Sequence, residues 1–238
     1  MLNNLEICVG SWQSALAAQT GGADRIELCD NLAEGGTTPS YGMLVQCKKL
    51  LQIPFFPIIR PRGGDFVYSK NEFEIMKEDV ICCREIGCEG IVIGILRKDG
   101  SIDTDRCSEL IALAGAMQFT FHRAFDRCND MKGGLEDIIQ LGCHRVLTSG
   151  GREFAFEGIE VLKSLVLQAG SRISIMPGSG INELNLHAIA NETAAYEFHT
   201  TAKKLIEYDI DPINGEPYHA LETSVENVSK LKEILSLI

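Results

Sequence analysis

The chain has 238 residues, of which 45% are hydrophobic, and it carries a formal net charge of -11 with a pI near 4.9. This length and apolar content predict a globular protein with one large domain over residues 1–238. The acidic charge argues against nucleic acid or an anionic membrane surface as a partner, because both attract basic surfaces.

Short apolar runs recur along the chain, and most of them follow a helical segment that ends at a glycine. Each run has the length and composition of a buried strand. The eight predicted strands are Leu5–Cys8, Ile26–Cys29, Phe55–Ile59, Gly90–Ile93, Gln118–Phe121, Arg145–Thr148, Arg172–Ile175 and Tyr196–His199.

Capping residues mark the starts of three helices between these strands. We expect caps at Ser11, at Thr38 with a first-turn proline, and at Asn71 paired with Glu74. Eight alternations of strand and helix in this length predict an α/β fold, a parallel (β/α)8 TIM-type barrel, rather than a doubly wound sheet. Residues 208–223 are less regular, and we expect them to be an insertion near the barrel mouth.

No apolar run has the roughly 18 residues that a membrane-spanning helix needs, and the first residues lack a signal-peptide pattern. The nine cysteines are scattered without the spacing of a small disulfide scaffold, so reduced thiols are expected. These features favour a cytoplasmic protein. Its partners are then small molecules, metal ions or other proteins.

A short Glu-x-Cys pattern occurs on both of the first two strands, as Glu6–Cys8 and Glu27–Cys29. Alternate residues of a strand share a face, and helices cover the outside of a barrel, so these polar side chains should point inward. Active sites in such barrels lie at the carboxyl ends of the strands. The same argument predicts four further inward residues, which are Arg60, His122, Glu197 and His199.

Several long polar phrases occur together over roughly residues 4–202. They are Glu6–Val9, Gly21–Cys29, Gly35–Ser40, Ile59–Tyr68, Thr120–Asp126, Leu147–Gly151 and Met176–Ile181. In these phrases the chain resembles the CutC copper homeostasis family. The resemblance implies a cytoplasmic barrel that forms a homo-oligomer, a dimer or a tetramer, with a role in copper handling. It also implies a cysteine pair that binds copper(I), and this pair falls on Cys8 and Cys29.

The chemistry of Cys8 and Cys29 allows two interpretations. Two thiolates form a soft site of the kind that selects copper(I) over harder ions. Free cysteine is also among the most buried residue types and often only fills space.

Ionisable residues at the same mouth form a candidate catalytic set, namely Glu27, Arg60, His122 and His199. They provide a carboxylate, a guanidinium and two imidazoles, which is enough for general acid–base chemistry. Alternatively, Glu27 and Arg60 form only a buried salt bridge.

A second group of residues is predicted to bind a substrate or an anion. It comprises Glu6, Arg62, Asp65, Arg123, Ser149, Gly150, Gly178 and Gly180. The two glycine loops can bring backbone N–H groups to a phosphate near the last strands, although short glycine pairs are also ordinary turns. Asp126 can pair with Arg123 on the rim instead.

Three functions remain open from the sequence. The first is a copper(I)-binding protein of copper homeostasis, with no other cofactor expected. The second is an enzyme that applies acid–base chemistry to a small phosphorylated or sugar-like molecule. The third, a scaffold without catalysis, is disfavoured by the number of inward charges.

Overall fold

The computed structural model describes residues 3–207 and 219–238, and strands and helices alternate in it from residue 4 to residue 200. The barrel strands are β1 (Asn4–Val9), β2 (Arg25–Leu28), β3 (Phe55–Pro57), β4 (Gly90–Ile93), β5 (Gln118–Phe121), β6 (Arg145–Thr148), β7 (Ser174–Pro177) and β8 (Glu197–Thr200). The helices are α1 (Trp12–Thr20), α2 (Tyr41–Leu50), α3 (Lys70–Ile86), α4 (Thr104–Ala114), α5 (Met131–Gln140), α6 (Ile159–Ala169), α7 (Leu186–Thr193) and α8 (Val225–Ser236).

The strands close into a barrel. Parallel pairing joins them in the orders β3-β2-β1-β8 and β4-β5-β6-β7. Two parallel bridges connect these halves, one between Ile58 and Val92 and one between Gly178 and His199. The predicted (β/α)8 barrel is therefore confirmed.

Side chains alternate between the two faces of the strands as the sequence predicts. Leu5 and Ile7 of β1 belong to the large apolar core outside the barrel wall. Cys8 belongs to a separate small cluster with Phe56 and Val92. Glu6 is also buried, on the same side as Cys8. The second face of each strand, which carries Glu6 and Cys8 on β1, thus fills the interior of the barrel.

One of the three predicted helix caps is confirmed. The hydroxyl of Ser11 accepts a hydrogen bond from the N–H of Ser14 at 3.0 Å at the start of α1. The prediction at Thr38 is wrong, because Ser40 caps α2. The Thr38 hydroxyl instead accepts the backbone N–H of Arg60 at 3.0 Å, which ties the loop after β2 to the end of β3.

The predicted cap of α3 at Asn71 with Glu74 is also wrong. The helix begins two residues earlier, where Ser69 and Glu72 form a capping box. Each of these side chains binds the backbone N–H of the other, so both free N–H groups are satisfied there. Strand β7 begins at Ser174, two residues later than predicted.

An antiparallel hairpin follows the barrel strands, formed by β9 (Lys203–Glu207) and β10 (His219–Thr223). Glu222 accepts hydrogen bonds from the hydroxyls of Ser11 and Ser14, which attaches β10 to the start of α1. Of the segment predicted to be irregular, residues 208–218 lie outside the described part of the chain. No helix in the described ranges combines the length and the apolar character needed to cross a membrane.

Candidate functional site

Four charged residues occupy the barrel interior below the mouth, and we call Glu6, Arg25, Arg145 and Glu197 the charged layer. Arg25 donates to Glu6 and, at 2.7 Å, to Glu197. Arg145 donates to Glu197 at 3.1 Å. Each charge in this layer therefore has an opposite charge beside it.

The charged layer is held by electrostatics rather than left open to a ligand. Burial opposes the ionisation of Glu6, but Arg25 and then His199 hold the pKa of this carboxyl well below its usual range. The guanidiniums of Arg25 and Arg145 also lie over the Phe56 ring, at 5.1 and 5.2 Å from its centroid. Glu6, predicted to bind an anion, thus lies in an ion-pair network below the mouth.

A cluster of Cys8, Glu27 and Cys29 lies nearer the mouth than the charged layer. Cys8 and Glu27 are direct partners across β1 and β2, and Cys29 follows the last residue of β2. The two sulfurs are 3.6 Å apart, and one ligand atom from each of the three residues lies within 4.8 Å of the others. In the described ranges this is the one group of three side chains with metal-ligand spacing.

The thiols carry their protons when no ion is bound. The pKa of Cys8 is raised by its hydrogen bond with Cys29 and by burial. The hydrogen bond from Cys8 lowers the pKa of Cys29, but burial and Glu27 outweigh it and raise the value to about 12. A metal ion at this position has to displace two protons.

His199 lies beside this group and connects it to the charged layer. Its Nδ1 is 2.8 Å from Glu6, and its Nε2 is 3.6 Å from Glu27. Burial lowers the pKa of His199, but Cys8, Glu6 and Glu27 together raise it well above the usual value. Burial raises the pKa of Glu27, although His199 opposes this effect. His199 Nε2 and Glu27 thus face each other at 3.6 Å at the base of the mouth, just beyond hydrogen-bond distance.

A cavity of about 530 Å³ opens above these residues, and we call it the mouth cavity. Cys8, Glu27 and His199 lie among its lining residues. Polar groups that also line it are Arg60, His122, Arg123, Ser179, Asn182, Thr200, Thr201 and Lys203. Apolar walls come from Leu32, Ile58, Phe66, Leu147, Phe154 and Ile181.

His122 is a neutral hydrogen-bond donor in this cavity. Its Nδ1 accepts the backbone N–H of Ala124 at 3.1 Å, so the ring carries its proton on Nε2. Burial and the nearby Arg60 lower the pKa of His122 to about 3. The buried Nε2 has no hydrogen-bond partner within the described residues. Near neutral pH the ring therefore donates a hydrogen bond through its Nε2–H and does not take up a second proton.

Arg60 is held by backbone carbonyls. Its guanidinium donates to the carbonyls of Glu34, Gly36 and Gly64 at 2.7, 2.8 and 2.9 Å. No carboxylate in residues 3–207 or 219–238 lies within salt-bridge distance of it, so the alternative of a Glu27–Arg60 salt bridge is wrong. The described residues therefore leave this cation in the cavity wall without a counter-charge.

The structure places Arg62 and Asp65 away from the mouth cavity. Arg62 donates to Asp65 at 3.1 Å and to Glu72 at 2.5 Å, and it lies over the Tyr68 ring. Neither Arg62 nor Asp65 lines the cavity. Their charges are used to fasten the loop after β3 to the start of α3.

The carboxylate of Asp126 occupies the loop after β6. It accepts the backbone N–H groups of Ser149 and Gly151 at 3.1 and 3.0 Å, and it pairs with Arg123 at 2.7 Å. The pairing of Asp126 with Arg123 on the rim is therefore confirmed. The backbone N–H of Gly150 donates to the Thr148 hydroxyl within this loop, so it is not directed at a ligand.

The loop after β7 does reach the cavity. Gly180 lines it beside Phe154, whereas Gly178 lies below, where an added Cβ would be 2.4 Å from Leu147. Sequence reasoning missed several wall residues, including Phe66 and Phe154, although Phe66 lies within the phrase Ile59–Tyr68. Whether a loop residue faces the cavity depends on the loop conformation. The alternation of side chains along a strand does not predict this conformation.

Comparisons with known proteins agree with this architecture. A family model described as CutC family matches residues 3–204. A CutC family protein of Xylella fastidiosa is 47% identical over 239 residues, covering 98% of this chain and 88% of the relative. A human protein named copper homeostasis protein cutC homolog is 49% identical over 199 residues, covering 84% of this chain and 73% of the relative.

The chain belongs to the CutC family. The crystal structure of a putative copper homeostasis protein CutC from Streptococcus agalactiae is similar, with a TM-score of 0.81 and 36% identity, covering 84% of this chain and 99% of that one. Phosphoribosyl anthranilate isomerase from Thermotoga maritima has a TM-score of 0.61 at 10% identity, covering the whole of both chains, and this likeness concerns the fold alone. Within the family match lie Cys8 and Cys29 and the cavity residues up to Lys203.

Proposed function

We propose that the protein binds copper(I) through Cys8 and Cys29 and serves copper homeostasis in the cytoplasm. The observation that carries this proposal is the 3.6 Å separation of the two sulfurs in a buried cluster that also holds Glu27. Thiolates are the soft ligands that favour copper(I). The names of the relatives support the same role.

Cys8 and Cys29 would hold the ion as thiolates, once both have lost their protons. Glu27, the third member of the cluster, would add a carboxylate oxygen beside them.

Competition with a copper(I) chelator under reducing conditions tests the proposal. The double variant Cys8→Ser, Cys29→Ser should bind copper(I) at least about 100-fold more weakly, because it removes both soft sulfur ligands. The matched control is Cys82→Ser, Cys128→Ser, which removes two partly buried thiols elsewhere and should change the affinity by less than about 2-fold. Equal affinities of the two double variants would remove copper binding at this site.

We also propose a homo-oligomer, a dimer or a tetramer, on the strength of the family resemblance. Sedimentation of the intact chain at several concentrations tests it. A single monomeric species throughout would contradict the proposal.

Acid–base catalysis on a small phosphorylated or sugar-like molecule is the second candidate function. It is favoured by the contact of Glu27 with His199 in the wall of a cavity of about 530 Å³. Glu27→Gln removes the titrating group and keeps the side-chain shape. It should leave ligand binding intact and abolish turnover, whereas unchanged turnover would eliminate Glu27 as the proton-transfer group.

A further inference from the structure

His122 presents a buried donor for which residues 3–207 and 219–238 offer no acceptor. The ring is only 4% exposed, and its Nε2–H has no acceptor among the described residues, while Nδ1 is occupied by Ala124. Buried polar groups in native proteins nearly always have a partner, so an unpaired one calls for an explanation. His122 lines the mouth cavity, although its Nε2 has almost no accessible surface, so a molecule in the cavity that supplies the missing acceptor has to displace a neighbouring side chain.

The position of this ring is fixed by its surroundings. A Cβ atom at Gly94 would lie 2.4 Å from the ring, so a side chain there would displace it. Phe66 also lies against the ring, with 5.0 Å between ring centroids. These neighbours hold the ring in one orientation, so its Nε2–H points in one direction.

Positive charge lies next to the same donor. Arg60 is 4% exposed and has no carboxylate partner in the described chain, and Lys203 on the rim has none either. Among the described residues, the one carboxylate that lines the cavity is Glu27, which lies beside His199. The chain as a whole has a formal net charge of -11, yet the described lining of this cavity has more positive than negative groups. An anion would supply both the counter-charge and the acceptor.

The walls indicate what else the ligand contains. Phe66 lies against both Arg60 and His122, with the guanidinium carbon and the imidazole centroid each 5.0 Å from its ring centroid. Leu147, Phe154 and Ile181 add further apolar surface. A bare inorganic ion would leave most of this surface in contact with water, whereas a small organic molecule would cover it.

We propose that the mouth cavity binds a small organic anion, a carboxylate or a phosphate ester with an apolar body, through Arg60 and the Nε2–H of His122. In this site His122 is a binding group and not a general base. The site lies beside the copper(I) ligands but uses none of them, so the two proposals fail or hold independently.

The test uses reduced, metal-free protein and four probes. These are phenyl phosphate, benzoate, inorganic phosphate and the neutral isostere benzamide. Calorimetry gives the affinities, and the ¹⁵N–¹H signal of the His122 ring reports contact at Nε2 in the wild-type chain. We expect phenyl phosphate or benzoate to bind at least about 10-fold more tightly than benzamide and to shift the His122 signal. Comparison of the affinities for phenyl phosphate and benzoate shows whether the site prefers a phosphate ester or a carboxylate. The affinity for inorganic phosphate, compared with that for phenyl phosphate, gives the contribution of the apolar body.

Two arginine variants sharpen the result. Arg60→Met should weaken binding of the preferred anion about 10-fold or more. Arg84→Met is the matched control, because Arg84 also donates to a backbone carbonyl, that of Leu113, but lies outside the cavity. The proposal is overturned if benzamide binds as tightly as the anions, if the His122 signal does not move, or if the two variants behave alike. Should Arg60→Met fail to fold, the wild-type His122 signal decides the matter alone. The Cys8→Ser, Cys29→Ser variant should keep its anion affinity, which separates this outcome from that of the copper test.

Discussion

The charged layer and the mouth cavity lie at different depths inside the same barrel, and they differ in how well their polar groups are paired. In the charged layer, Glu197 accepts hydrogen bonds from Arg25 and Arg145. In the mouth cavity, Arg60 lacks a carboxylate and the Nε2 of His122 lacks any partner within the described residues. Both regions are buried to a similar degree.

This difference shows that burial of an ionisable residue does not by itself indicate a ligand site. Buried charges that neutralise one another are a structural solution for a polar barrel interior, even when the network perturbs their pKa values. Buried groups that remain unpaired are better candidates, because the folded protein has left their hydrogen-bonding capacity to something else. By this criterion Glu6 belongs to a structural network, whereas His122, which lacks an acceptor, and Arg60, which lacks a carboxylate partner in the described chain, are the groups that we propose for ligand binding.

The largest effect on stability is expected from breaking the charged layer. Glu197→Gln keeps the side-chain shape but leaves Arg145 with only the neutral partners Gln118 and Thr120. Removing one member of a buried ion pair typically costs about 3–5 kcal/mol in the free energy of unfolding. Urea denaturation at neutral pH measures this loss.

Glu136→Gln is the matched control for that experiment. Glu136 pairs with Arg172 on the surface, at 2.6 Å, and the substitution changes the charge in the same way. Its effect should be small, because exposed ion pairs contribute little. If both variants lose the same stability, the charged layer is not the tightly coupled network that its geometry indicates.

A smaller effect, dependent on pH, is expected from His122. Its pKa is about 3 in the folded chain against 6.5 in the unfolded chain, so below pH 6.5 the unfolded state binds the additional proton. Stability is therefore complete above pH 6.5 and is lost progressively as the pH falls toward 3. At pH 5 the loss from this one group is on the order of 2 kcal/mol relative to pH 8.

His122→Gln removes this contribution because glutamine does not titrate. The free energy of unfolding of the variant should fall less steeply than that of the wild type between pH 6.5 and pH 5. Denaturation curves at a series of pH values give the difference directly. If the stabilities of the two proteins fell equally with pH, His122 would titrate normally in the folded chain. The proposed difference between paired and unpaired buried groups would then lose its main support.

The fold followed from the sequence because its signals are local and periodic. Alternation along the strands predicted that Glu6, Cys8 and Glu27 point into the barrel, and all three do. Cap positions were less well predicted. Asn71 and Glu74 have the spacing of a capping pair, yet Ser69 and Glu72 have the same spacing one half-turn earlier and form the box instead.

The arrangement of the site could be predicted only in part. The alternation of side chains along the strands correctly predicted that Cys8 and Cys29 point into the barrel. It could not show that two arginines, rather than a ligand, would pair with Glu6 and Glu197. Nor could it show which nitrogen of His122 is occupied, since that depends on the turn that brings Ala124 N–H to the ring. Pairing between residues distant in the sequence is set by the closed barrel and not by any local pattern.

The smallest effect is expected from Arg62, which the sequence placed among the anion-binding residues. Because its partners are Glu72 and Asp65 outside the mouth cavity, Arg62→Met should leave the affinity for phenyl phosphate or benzoate within about 2-fold of the wild type. Its loss of stability should be about a fifth or less of that of Glu197→Gln, since its ion pairs are partly exposed to solvent. Calorimetry and urea denaturation measure the two quantities. If Arg62→Met weakened anion binding as much as Arg60→Met does, the lack of a carboxylate partner would not distinguish the arginine that binds the anion.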